Sequence, residues 1–204
     1  PCMRMTDTAG RKQLIHDPHL KAVIYHTVKF CDYYGFEYSA LRRELSVPML
    51  KLESDYTVQS SGQLLTRLEA FAESMAPPDG ATHERKKHMN GKGLYVGIDS
   101  GSTSTDVVIL DEHKNIVSQV ILPTGAGAAA GADRALDEAL KRSGLTREEL
   151  TATVTTGYGR TAIQNGDKSI TEITCHAKGA FFLNPEVRTI IDIGGQDSKV
   201  IRID

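Results

Sequence analysis

The sequence predicts an α/β chain in two parts: a partial doubly wound sheet over residues 1–76 and a second α/β subdomain over residues 93–204, joined by a linker over residues 77–92. Three observations predict this. Before residue 76, strand-like and helix-like runs alternate β-α-β-α, the order of a parallel sheet with crossover helices. The stretch GLYVGIDSGSTSTDVVILDEHKNIVSQVIL, residues 93–122, reads instead as strands in succession with short turns between them, an antiparallel meander. Between the two, APPDGATHERKKHMNGKG, residues 76–93, interrupts the apolar pattern with paired prolines, scattered glycines and a basic cluster.

In the first part, AVIYHTVKF is a β-branched and aromatic run of strand length, and FEYSALRRELS follows with apolar residues at helical spacing. VPMLKLES is a second strand. In SSGQLLTRLEAFAESMA, Ser60 and Gln63 form a capping box, and Leu64, Leu68, Phe71 and Met75 mark one helical face. Earlier strands of this sheet are expected to lie upstream, because the chain starts at PCMRM without an initiator methionine and stops at KVIRID inside a strand pattern. The sequence is therefore read as a fragment.

The second part continues with GADRALDEALKRSG, a helix stopped by Gly144, and with Thr146 and Glu149 as a capping box for a short further helix. TATVTTGYGR is a strand leading into a glycine-bracketed turn, and EITCHAKGAFF is a helix. TIIDIGGQDSKVIRI repeats the strand-turn-strand design of the opening meander.

Composition narrows the function classes. A formal net charge of -2 offers no broad electrostatic footprint for nucleic acid. No apolar run approaches the roughly 18 residues that span a bilayer, and no charged-then-apolar leader opens the chain. Three cysteines without regular spacing make no disulfide framework. The expected setting is the reducing cytoplasm, without nucleic-acid or membrane partners.

The chemistry concentrates in the two hairpins. The turn DSGSTSTD offers Gly101, which permits close backbone approach, with the hydroxyls of Ser100, Ser102, Thr103, Ser104 and Thr105. That surface suits phosphate oxygens. Asp99 stands at the strand end, where a carboxylate holds Mg²⁺ through water. Hydroxyl-rich turns also occur without ligands. The second hairpin, with Asp192, Gly194, Gly195, Gln196, Asp197 and Ser198, turns a weak signal into a paired one: two related subdomains gripping one polyphosphate. Thr156, Gly157, Tyr158, Gly159 and Arg160 are expected at the same cleft, with Arg160 either a surface cation or a phosphate contact. Cys175 and His176 lack a second cysteine at ligand spacing and read as packing or helix-contact residues. Arg85, Lys86, Lys87 and His88 read as solvated linker charges, the alternative being contact with a phosphate or an acidic partner. Cys31 follows a strand, where functional loops gather in doubly wound sheets. Its thiol is either a small buried apolar group or a metal ligand.

The motifs VGIDSGSTSTDVVIL, TTGYGR, EITCHAKGA and IDIGGQDSKVI together resemble the activator ATPases of 2-hydroxyacyl-CoA dehydratases and benzoyl-CoA reductases, the BadF/BadG/BcrA/BcrD ATPase family. The resemblance covers residues 93–204 and implies the ribonuclease H-like fold of actin, Hsp70 and sugar kinases, with both hairpins as phosphate-binding loops for ATP. IYHTVKFCDYYGFEYSALRRELSVPMLKLESDYT followed by GQLLTRLEAF resembles the carboxyl end of the dehydratases' iron-sulfur subunit, the 2-hydroxyglutaryl-CoA dehydratase D-component. That resemblance implies that Cys31, in KFCD, is a ligand of a [4Fe-4S] cluster; Cys2 lacks the upstream context to be assigned. The implied activity is ATP-dependent delivery of a low-potential electron from an activator homodimer to dehydratase or reductase subunits acting on an acyl-CoA. The family's activator-cluster cysteines and adenosine-binding portion are expected beyond residue 204. Two alternatives stay open: a sugar kinase of the same fold, and a nucleotide-binding regulatory module.

Overall fold

The computed structural model describes residues 13–29, 32–55, 61–76, 93–193 and 198–203. Its contacts divide the chain into two compact units, Pro1–Phe71 and Ala72–Asp204.

In the first unit, β1 (Val23–Val28) and β2 (Met49–Ser54) pair in parallel, from Val23 opposite Met49 to Val28 opposite Ser54. Helix α1 (Asp32–Glu44) makes the crossover that a parallel pair requires, and α2 begins after β2 and spans Ser61–Met75. The β-α-β-α order is the one the sequence predicts, with α1 starting earlier than its apolar periodicity indicates. The Tyr25 hydroxyl ties β1 to α1 by donating to the Tyr34 carbonyl at 3.1 Å and the Glu37 carboxylate at 2.7 Å. Across the strand pair, His26 Nε2 lies 2.7 Å from Ser54 Oγ. Cys31 lies outside the described residues, as do Ser60 of the expected capping box and the linker segment 77–92.

The second unit contains a five-stranded mixed sheet in the order β5-β4-β3-β6-β7. Strands β3 (Tyr95–Ser100), β4 (Ser104–Leu110) and β5 (Ile116–Pro123) form the expected antiparallel meander. Strand β6 (Ala152–Thr156) joins β3 in parallel, and the two-residue β7 (Lys168–Ser169) joins β6. Strict alternation sorts the side chains. Val96, Ile98, Val107, Ile109 and Val120 are buried under helix α3 (Ala128–Ser143), which presses Ala132, Ala135, Leu136, Ala139 and Leu140 onto them. The alanines let the helix lie close.

Gly144 ends α3 where the sequence places the stop. At φ 68° it occupies the left-handed region, and the Leu145 and Gly144 N–H groups donate to the Leu140 and Lys141 carbonyls, closing a Schellman turn. The capping box of Thr146 and Glu149 is present but opens only a single 3-10 turn, Arg147–Glu149. Helix α4 (Glu172–Leu183) follows β7, capped by the Thr171 hydroxyl accepting from Thr174 N–H. Strands β8 (Thr189–Ile193) and β9 (Ser198–Arg202) pair antiparallel, as the repeated design predicts. Among the described residues no helix is long and apolar enough to cross a membrane.

Two helical glycines respond to opposite constraints. A Cβ on Gly131 of α3 would sit 2.7 Å from the Thr124 carbonyl oxygen and 3.2 Å from Thr105 Oγ1, whereas one on Gly179 of α4 would meet nothing within 4 Å. Gly179→Ala is expected to raise stability by about 0.5–1 kcal/mol through the entropy of the unfolded chain. Gly131→Ala is expected to lower it by about 1–3 kcal/mol through overpacking. Urea unfolding of the two variants checks the opposite signs.

Candidate functional site

The first hairpin turn is held from behind and left open in front. Gly101 N–H donates to the Ser104 carbonyl at 2.9 Å. A Cβ on Gly101 would lie 3.0 Å from that same oxygen, so the tight turn favours glycine. Thr124, just before α3, donates its hydroxyl to the Gly101 carbonyl at 2.8 Å and its N–H to the Thr103 carbonyl at 3.0 Å. Its hydroxyl also lies 3.0 Å from that of the buried Thr105. Ser102 and Thr103 remain exposed at the tip, while Gly101 and Ser104 are half-buried.

The turn after β6 packs onto the end of β3. Gly157 takes φ 82°, and a Cβ there would overlap Asp99 Oδ1 and lie 2.6 Å from the Ser100 carbonyl oxygen. A Cβ on Gly159 would stand 2.5 Å from both Ser100 Oγ and the Ala128 Cβ. Gly159 N–H donates to the Ser100 carbonyl at 2.9 Å. The two glycines of TTGYGR are therefore fixed by close approach to Asp99 and Ser100.

Arg160 fits neither side of its sequence-based alternative cleanly. It is buried, with 8% of its surface exposed, because the guanidinium turns inward to the Gly157 carbonyl at 3.1 Å and to Glu172 Oε2 at 3.4 Å. From there, charges continue across the unit. Lys199 Nζ lies 3.6 Å from Glu172 Oε1 and 3.9 Å from Asp192 Oδ2, and His176 Nδ1 lies 3.2 Å from Asp192 Oδ2.

Asp99 lies near enough to this series for His176, Glu172 and Asp192 to act on its charge. On the sheet face opposite α3, Asp99, Asp106, Val154 and Thr156 line a cavity of about 560 Å³, joined by Cys175 and His176 of α4. Burial pushes the Asp99 carboxyl above the usual carboxylate range; nearby His176 opposes the shift, and Asp106, Glu172 and Asp192 reinforce it. Burial likewise raises the Cys175 thiol, outweighing the neighbouring Thr156 hydroxyl. Among the described residues, the buried side-chain atoms without an aligned hydrogen-bond partner are Ser100 Oγ, Asp106 Oδ1, Thr156 Oγ1, Glu172 Oε1 and His176 Nδ1. Each belongs to Asp99's chain neighbour, to a residue opposite it in the sheet, or to a residue whose charge acts on it. Such concentration of unmet polarity calls for a polar ligand.

The donor chemistry fits a hydrated divalent cation carrying phosphate. Acidic groups are in surplus around Asp99, and among the described residues no three His, Cys, Asp or Glu side chains converge to hold a metal alone. Mg²⁺ is commonly held in this way, by few carboxylates and several waters. An iron-sulfur cluster finds no set of thiolates among the described residues, where Cys175 is the free cysteine. Cys31 of the sequence prediction is outside them, as are Gly194, Gly195, Gln196 and Asp197 of the second turn. Of the predicted second loop, Asp192 is described, and it reaches the site through His176 and Lys199.

Sequence reasoning missed Glu172 and read His176 as a packing or helix-contact residue, without its acidic partner Asp192. The available signal was their spacing: an acid in the first turn of a helix and a histidine four residues later share one face.

Comparison with known proteins places this geometry. The model of the BadF/BadG/BcrA/BcrD ATPase family matches residues 96–204. The chain belongs to that ATPase family. Residues 1–75 match a second family model, 2-hydroxyglutaryl-CoA dehydratase, D-component. The activator of lactoyl-CoA dehydratase from Anaerotignum propionicum is 53% identical over 109 residues, 53% of this chain and 42% of the relative. The (R)-2-hydroxyglutaryl-CoA dehydratase activating ATPase of Acidaminococcus fermentans is 42% identical over 110 residues, 53% of this chain and 42% of the relative. Among solved structures, the activator of the 2-hydroxyisocaproyl-CoA dehydratase from Clostridium difficile with bound ADPNP superimposes with TM-score 0.52 at 43% identity, over 54% of this chain and 41% of that one. The chain thus spans about two-fifths of the length of these relatives.

In this ATPase-family unit the Asp99 shift has a sign that can be worked through. The folded-state pKa exceeds the unfolded one, so folding favours the protonated acid. The associated stability is complete below the unfolded pKa and is lost as pH rises through the folded pKa. Asp99→Asn, neutral throughout, escapes that loss. The ligand-free variant is expected to unfold at a higher temperature than the wild type at neutral pH, with the advantage shrinking as pH is lowered towards about 4, the ordinary aspartate range. Thermal unfolding across that pH series checks the prediction.

Proposed function

We propose that the intact protein is an ATP-hydrolysing activator of a 2-hydroxyacyl-CoA dehydratase or benzoyl-CoA reductase-type enzyme, coupling ATP hydrolysis to low-potential electron transfer. On this reading, residues 93–204 are the N-terminal part of the ATPase domain, residues 1–76 the carboxyl-terminal part of a dehydratase-type iron-sulfur domain, and residues 77–92 the linker. The observation that carries it is the concentration, near Asp99, of buried polar atoms without an aligned hydrogen bond, in the unit that holds the glycine-hydroxyl hairpin and Asp192 of the second hairpin. The activators named above, one with bound ADPNP, support it.

The roles follow from the chemistry. The Ser102 and Thr103 hydroxyls and the Ser102–Ser104 backbone N–H groups donate to phosphate oxygens from the first loop, whose turn Gly101 shapes. Gly194, Gly195 and Gln196 donate from the second, while the Asp192 and Asp197 carboxylates, which only accept, would act through the accompanying cation. Asp99 is the catalytic carboxylate, holding Mg²⁺ through water; the ion's chemistry is to neutralise charge developing on the transferred phosphoryl group. A γ-phosphate that both hairpins contact is a bridge that hydrolysis removes, which lets nucleotide state bias the hairpins' relative orientation. The partners are dehydratase or reductase subunits and an acyl-CoA, with the activator acting as a homodimer in the cytoplasm.

Asp99→Ala in the intact protein is expected to lower Mg²⁺-dependent ATP turnover by about 100-fold or more, while ADPNP binding weakens less, because electrostatic stabilisation of phosphoryl transfer is the larger role. Turnover equal to wild type removes the assignment, and nucleotide binding without turnover in the wild type favours a regulatory module. For the first domain, we propose that Cys31 is an iron ligand, on the strength of the KFCD resemblance and its place after β1. Cys31→Ala in anaerobically purified protein is expected to lose much of its bound iron and visible absorbance. Full retention of both returns Cys31 to a packed thiol.

A further inference from the structure

Helix α4 carries one residue that contacts the acid of the second hairpin and lies near that of the first. His176 Nδ1 lies 3.2 Å from Asp192 Oδ2 on β8, and its charge acts on Asp99 at the end of β3. Lys199 also reaches Asp192, but at 3.9 Å, and it is shared with Glu172 at 3.6 Å and with the face of the Tyr158 ring at 5.9 Å. His176 is thus the nearer basic side chain to Asp192. Its Nδ1 is buried and has no aligned hydrogen bond, although 39% of the side chain is exposed. A ring that open contributes little to core packing, while its buried nitrogen lies within 3.2 Å of a carboxylate oxygen. Glu172, one turn earlier on the same face, is anchored to Arg160. The histidine therefore stands on a helix already fixed to the glycine turn beside Asp99.

We propose that His176 is a positioning residue that orients the Asp192 carboxylate towards the Asp99 side of the site through Nδ1, so that both hairpins address one phosphate chain. The inference rests on the ATPase reading for its catalytic consequence and on the His176–Asp192 contact for its geometry. The two parts are separable.

The test uses the intact protein with Mg²⁺ and ATP, and three variants. Asparagine places an amide nitrogen near the position of Nδ1, glutamine reaches further, and alanine removes the group. His176→Ala is expected to lower kcat about tenfold or more with a smaller change in KM, as loss of an orienting partner does. His176→Asn is expected to recover most of that rate, and His176→Gln to recover little. Wild-type rates in all three variants, or an asparagine variant as slow as the alanine one, overturn the proposal. Absence of ATP turnover in the wild type overturns the ATPase reading instead. The positioning contact is then decided without nucleotide by a double-mutant cycle of His176→Ala and Asp192→Asn on the thermal midpoint. A combined shift smaller than the sum of the separate shifts supports the contact, and additive shifts overturn it.

Discussion

The ATPase unit depends on how closely the turn after β6 approaches the end of β3. Asp99 can serve as the floor of a site only if the neighbouring chain covers the end of β3 without filling the space above it. Gly157 and Gly159 meet both conditions, one at positive φ and both without a Cβ. Their backbone lies against the Ser100 carbonyl and hydroxyl, close enough for a direct hydrogen bond from Gly159. Side chains at these positions would push the turn away and open the site to bulk water. The electrostatics of Asp99 follow from that packing, since its raised pKa comes first from burial.

A half-buried carboxylate near Asp106, Glu172 and Asp192 is an unfavourable arrangement for a protein with nothing bound. Like charges directly opposite in a sheet, as Asp99 and Asp106 are, destabilise the pair. The buried Arg160–Glu172 pair offsets part of the negative charge but leaves Glu172 Oε1 and Asp106 Oδ1 without aligned donors. On the proposed ATPase reading, this pattern fits a site prepared for a cation and its anionic ligand, in which folding stability is given up for preorganisation. The apolar sheet face under α3 supplies the compensating burial.

Much of this was legible in the sequence, for identifiable reasons. The meander, α3 with its Gly144 stop, and the β8–β9 pair are local patterns of alternation, helical period and turn chemistry, and they depend little on the rest of the fold. The glycines of TTGYGR were legible as a turn, though what they touch was not, because Asp99 is far away in sequence and adjacent only through the parallel β3–β6 register. The two-residue β7 gave no periodic signal at all. Arg160 misled because a lone arginine in a turn carries no sign of its burial; the deciding partner, Glu172, lies beyond β7. His176 misled for the related reason that helical spacing reports a shared face but not what that face meets. The first unit was legible in its order, since the strand and helix runs there are short and cleanly bounded.

Helix α4 is what makes the two hairpins one device. Residues at i and i+4 on a rigid helix cannot move independently, so any displacement of Asp192 felt at His176 is delivered to Glu172. Glu172 passes it to Arg160, whose other contact is the Gly157 carbonyl in the turn against Asp99. Lys199 closes the loop from β9 by touching both Glu172 and Asp192. A ring of partly desolvated polar contacts has few intermediate arrangements, because loosening the Arg160–Glu172 contact leaves a buried charge short of its partner. Such a ring suits a two-position switch better than a graded one. The second hairpin's acid is thereby tied to the first hairpin's floor through a single short helix.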